Sequence, residues 1–103
     1  MLRVERWSGG PVLDAGELRR QMEADGYRVY MWTDESRTIY PPHKHPTDQS
    51  HWVLHGSMAL TVGEQEYVLG PGDRDYLPAG TQHSARVVGG EPVTYLVGER
   101  RFT

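Results

Sequence analysis

Residues 43–56 read HKHPTDQSHWVLHG and residues 72–83 read GDRDYLPAGTQH; together they hold all five histidines of the chain. His43 and His45 are one residue apart, so in an extended segment both imidazoles point to one face and can converge on one ion. Gln49 opens the next apolar run, and alternation puts Gln49, His51 and Val53 on a common face. His83 follows Pro78-Ala79-Gly80, a turn able to swing a later strand back across the first. Imidazole suits zinc, iron, copper and nickel, and the absence of cysteine excludes a thiolate-held zinc, a disulfide and a cysteine nucleophile. By itself the His-x-His pair reads equally as a metal site or as a chance cluster in an exposed loop beside Lys44.

Outward from these stretches the chain is a series of short apolar or alternating runs. They are Tyr27–Thr33, Thr38–Tyr40, Gln49–Leu54, Met58–Val62, Tyr67–Leu69, Asp75–Leu77, Ser84–Val88 and Val93–Val97. Turn chemistry separates them at Pro41-Pro42, Gly56, Gly63, residues 70–73, residues 78–80 and residues 89–92. Short strands at this spacing predict an all-β sandwich or barrel. Before them, Leu2–Trp7 alternates loosely as an edge strand does. Asp14 with Glu17 three positions later forms a capping-box pattern, Leu18 and Met22 share a helical face, and Gly26 suits a left-handed helix end. A short amphipathic helix is expected at about 14–25. Residues 1–26 are therefore expected to be an extension packed on a barrel of residues 27–103.

At 103 residues with a net charge of -3, the chain is one domain with no basic field for nucleic acid or anionic lipid. The Arg100-Arg101 pair beside Glu99 reads as a solvated chain end. No apolar stretch approaches the roughly 18 residues of a membrane span, and residues 1–10 lack a signal-peptide core. A cytoplasmic protein is the expectation.

The spacing of the two stretches carries a family resemblance. His43-Lys44-His45, three residues, Gln49, six residues and Gly56 resembles the first cupin motif, which reads H-x-H, three or four residues, E, six residues, G. Gly72, five residues, Pro78-x-Gly80, two residues and His83 resembles the second cupin motif, residue for residue. Residues 56–72 look like the hairpin and turn that link the motifs, and the resemblance covers about residues 27–98. It implies a double-stranded β-helix, a jelly-roll-like barrel that is often dimeric. It also implies one divalent transition metal ion (zinc, iron, nickel, copper or manganese) held by His43, His45, Gln49 and His83. The chain departs from the family pattern at Gln49, where a Glu is usual, at Arg37, where a Gly commonly stands, and at Val87, where an Asn is frequent. An amide oxygen coordinates more weakly than a carboxylate, so this set should hold zinc, copper or nickel better than iron or manganese.

Around that set, His51 lies roughly 6–7 Å along the strand from Gln49 at about 3.3 Å per residue. It is expected to line the pocket and to ligate only if Gln49 is displaced. Tyr40 is expected at the pocket mouth, His55 in solvent, and Asp48 pointing away from Gln49. Asp73, Asp75 and Glu91 read as turn residues. Trp52 and Leu54 alternate with the inward residues and so point out of the barrel, to be covered by the first 26 residues or by a second subunit. A homodimer is the expectation. Two functional classes stay open. One is a small-molecule metalloenzyme, dioxygenase- or isomerase-like; the other is a metal-dependent binding or sensing module without catalysis.

Overall fold

In the computed structural model, which describes residues 2–10 and 12–100, the period-two runs form strands and the capped segment forms the helix. In chain order the elements are β1 (Arg3–Glu5), α1 (Ala15–Ala24), β2 (Arg28–Asp34), β3 (Ile39–His43), β4 (Asp48–His55), β5 (Ser57–Val62), β6 (Gln65–Leu69), β7 (Arg74–Leu77), β8 (His83–Val88) and β9 (Val93–Arg100). All pairings are antiparallel, in a five-stranded sheet ordered β1-β7-β4-β9-β2 and a four-stranded sheet ordered β3-β8-β5-β6. This is the jelly-roll arrangement of a double-stranded β-helix. Val53, Val93, Tyr95 and Val97 of the larger sheet pack on Met58, Leu60, Leu69 and Val87 of the smaller one. Val87, in place of the family's Asn, is thus a core residue.

The helix forms where its caps predict. The Asp14 carboxylate accepts the Glu17 amide at 3.1 Å, and Gly26 takes φ +94° just past the helix end. Leu18 and Met22 face the sheet, where they bury Tyr27, Val29, Trp52 and Leu96, with Trp7, Leu13 and Leu54 at the margin. Trp52 does point out of the barrel, yet it is only 7% exposed and its indole N–H donates to the Gly72 carbonyl at 2.8 Å. The helix covers the face on which a dimer was expected. That ground for a homodimer is removed, because burial of Trp52 and Leu54 is already satisfied within the chain. Exposed large apolar side chains among the described residues cluster on edge strand β2, at Tyr30, Met31 and Trp32, with Val12, Ile39 and Val68 exposed singly elsewhere.

Four local features mark the strands and turns around the site. Pro41 and Pro42, expected to break the chain, lie inside β3; this strand pairs only with β8, and an edge strand tolerates missing N–H donors. The register shifts between Tyr40 and His43, which sets His43 opposite His83. Gly56 turns β4 into β5 at φ +77°, with the Pro92 carbonyl filling the space a side chain would need. Arg37 has φ +70°, so the position at which the family commonly has Gly is held here in the left-handed region by a residue with a Cβ. No helix among the described residues is long and apolar enough to cross a membrane.

Candidate metal centre and its cavity

A cavity of about 290 Å³ lies between the sheets and is lined by side chains from both. The registers order its wall. Gln49 is opposite Leu77 and Glu99, and His43 is opposite His83. Two residues further along the strands come His51 opposite Val97, and Tyr40 and Leu60 opposite Ala85. Beyond them stand Tyr95 opposite Trp32, and Met58.

The three histidines of the motifs meet. Their nearest ligand nitrogens lie within 4.8 Å of one another, and the ring centroids are 4.2 Å (His43 to His83), 4.8 Å (His43 to His45) and 5.2 Å (His45 to His83) apart. His43 holds Nδ1 2.7 Å from the Pro41 carbonyl, and His83 holds Nδ1 2.9 Å from the Thr81 carbonyl. A carbonyl only accepts, so each Nδ1 carries the proton and each Nε2 keeps a lone pair for a metal. His45 lies past the end of β3, so the loop aims it rather than strand alternation, and its carbonyl accepts the Gly80 amide at 2.8 Å. Burial pushes the pKa of His45 and of His83 down, and the neighbouring histidines push the same way. Both rings are then neutral at neutral pH, the form that coordinates. At metal–nitrogen distances of about 2.0–2.1 Å, nitrogens sharing an ion stand about 3–4 Å apart, within reach of small ring rotations here. The donor set fits a divalent transition metal.

Gln49 is buried beside this cluster and donates from Nε2 to Glu99 Oε1 at 3.2 Å. That bond fixes the amide's orientation and leaves Oε1 as the end available to an ion. Glu99 is a cavity residue that sequence reading missed. It lies in β9 and is exposed, as a solvated end would be, yet it lines the cavity, and Arg100 beside it reaches Asp48 Oδ2 at 3.4 Å; Arg101 lies outside the described residues. Asp48 faces away from the cavity, accepting the Ala79 amide at 2.8 Å. His55 is exposed, 3.7 Å from Glu91.

His51 lines the cavity with Nδ1 at 3.1 and 3.0 Å from the two Asp75 carboxylate oxygens. Asp75 is fully buried within β7, which corrects its reading as a turn residue. Alternation from Leu77 would have pointed it inward. Asp73, by contrast, does cap its turn, accepting from Gly70 and Trp7 amides at 3.0 Å each. Burial pulls the His51 pKa down, but the charge of Asp75 and its hydrogen bond outweigh this and leave it raised. Tyr40 lines the cavity too, with its hydroxyl donating to Asp34 at 2.6 Å.

A model of the cupin domain family matches residues 30–98. Solved structures share the fold. A cupin-2 domain protein from Shewanella frigidimarina superposes with a TM-score of 0.63 at 19% identity over 94% of this chain and 83% of its own. The polyketide cyclase RemF from Streptomyces resistomycificus gives 0.63 at 24% over 73% of this chain and 55% of its own. The DMSP lyase DddQ from Ruegeria pomeroyi gives 0.66 at 25% over 98% of this chain and 46% of its own. The chain therefore spans about half the length of each of these two enzymes. No curated protein sequence matches it.

Proposed function

Because the chain belongs to the cupin domain family, we propose that His43, His45, His83 and the Gln49 carbonyl oxygen hold one divalent transition metal, and that the adjoining cavity is the active site of a small-molecule enzyme of the isomerase or lyase type. The observation that carries this reading is the presence, in one 290 Å³ cavity, of the three-histidine cluster and of His51, which is backed by the buried Asp75. Three imidazoles and an amide oxygen, with no anionic ligand, favour zinc, nickel or copper over iron or manganese. Bound there, the ion supplies a Lewis acid for an oxygen of the substrate.

The chain's own residues supply the rest. Asp75 holds His51 at Nδ1, so the Nε2 edge is the one offered to a substrate proton. The same carboxylate stabilises the imidazolium that forms when His51 accepts that proton. Leu60, Ala85 and Val97 keep this part of the wall apolar, which strengthens such charge effects by excluding water. Two of the similar structures are enzymes by name, which supports catalysis. The test is deuterium incorporation from D2O into a panel of small oxygenated molecules, followed by NMR. Metal-loaded wild type should exchange carbon-bound protons of at least one of them. His51→Gln should lose the exchange while retaining metal. Saturable binding by the metal-loaded protein without exchange would establish the second reading, a binding module without catalysis.

A further inference from the structure

Trp32, Tyr40 and Tyr95 all line the cavity, and each turns its only polar hydrogen onto Asp34, at 2.9, 2.6 and 2.7 Å. Asp34 is 7% exposed, and none of the ion pairs among the described residues involves it. Its negative charge is held by three neutral donors, all belonging to rings of the cavity wall. A ligand touching this wall meets aromatic surface whose N–H and O–H groups are already committed, with the Asp34 carboxylate behind it. Tyr30, on the same strand as Trp32, adds a fourth ring. Among the described residues no lysine or arginine lines the cavity, and His51, though it also feels the Asp34 charge, is hydrogen-bonded to Asp75 and not to Asp34. Such a wall offers nothing to an anion or to a hydrogen-bond acceptor. It suits a cation with a thin hydration shell, which gains from ring faces and needs no acceptor at each hydrogen.

We propose that the Trp32–Tyr40–Tyr95 wall, backed by Asp34, binds the methylated onium head of a small organic cation, whose oxygen-bearing end then reaches towards the histidine cluster. Hydrogen bonding of both phenols to a carboxylate makes their rings richer in electrons, which strengthens attraction for such a head. The inference shares with the proposed function the premise that this cavity is the ligand site, and it does not depend on a metal being bound.

The test uses two isosteric alcohols, choline and 3,3-dimethylbutan-1-ol, which differ in carrying a quaternary nitrogen or a quaternary carbon. Each is titrated calorimetrically into the whole chain, as purified and after chelator treatment, with metal content assayed on the same samples. Choline should bind at least about tenfold more tightly than its neutral isostere in both preparations. Asp34→Asn should weaken choline by about fivefold or more and leave the isostere within about twofold. If that variant does not fold, Trp32→Leu at a half-exposed position carries the same expectation, because it keeps apolar surface and removes the ring. Equal or tighter binding of the isostere to wild type would overturn the proposal, as would no saturation by either alcohol up to about 10 mM. A choline preference in protein that holds no metal even before chelator treatment supports this inference and counts against the metal reading; full metal content as purified without a preference does the reverse.

Discussion

Gln49→Glu places a new carboxylate against the existing one of Glu99, because the amide nitrogen it replaces is 3.2 Å from Glu99 Oε1. Two unit charges at that separation repel by about 1 kcal/mol in water and by about 5 kcal/mol at an effective dielectric of 20. Glu99 is exposed, so the lower part of that range applies, about 1–2 kcal/mol. The metal-free variant should therefore melt roughly 5–10 °C below wild type. A dication beside both carboxylates removes the repulsion and gains an anionic ligand in place of a neutral one, so metal affinity should rise at least about tenfold. The gain should be larger for iron and manganese than for copper. Adding Glu99→Gln restores a carboxylate–amide pair with the roles exchanged; the double variant should recover the wild-type melting temperature and keep the affinity gain. Scanning calorimetry with and without chelator, alongside competition against a chromophoric chelator, measures both effects. Unchanged melting and unchanged affinity in Gln49→Glu would refute the placement of Gln49 between Glu99 and the ion.

Other expectations follow from single features of the structure. In metal-free protein, NMR should find His45 and His83 titrating below the ordinary histidine value of about 6.5 and His51 above it, and the reverse order would contradict the assignment. By linkage, the first two cost stability as pH falls through about 6.5, whereas His51 contributes stability below about 6.5 that is lost as pH rises through its higher folded value. Metal affinity should hold from neutral pH to about pH 6 and then fall steeply as protons compete for the three imidazoles; a flat profile down to about pH 5 would exclude them as the main ligands. Arg37→Gly should stabilise by about 0.5–1 kcal/mol in chemical denaturation, since φ +70° suits glycine, and a loss of stability would show that the arginine side chain matters there. Trp52→Ala should cost about 3–5 kcal/mol by emptying the layer under α1, without changing association state in sedimentation; altered association at unchanged stability would restore Trp52 to a subunit interface.

The fold was legible because it depends on local signals: turn residues at regular intervals, period-two runs, and two motifs whose spacing survives any detail of pairing. That His43, His45 and His83 come together was legible for the same reason. What escaped was set by pairing across the barrel. Glu99 meets Gln49 through the β4–β9 register, fifty residues away along the chain. Asp34 gathers Tyr40 from six residues away but Tyr95 from sixty-one. A carboxylate in a sheet interior and one in a solvated turn look alike in sequence, which is why Asp75 was read with Asp73. Trp52 shows the opposite case. Its outward direction followed from alternation, but what covers it is a packing question between α1 and the sheet that alternation alone does not answer.

The central claim is that three histidines hold one metal ion in this cavity, and metal stoichiometry tests it most directly. Elemental analysis of protein purified without added metal or chelator, then of protein reloaded with zinc, should give about one equivalent per chain for wild type after reloading. The His43→Ala, His83→Ala double variant removes two of the three imidazoles and should retain almost none under the same wash. A folded double variant that keeps a full equivalent would contradict the account.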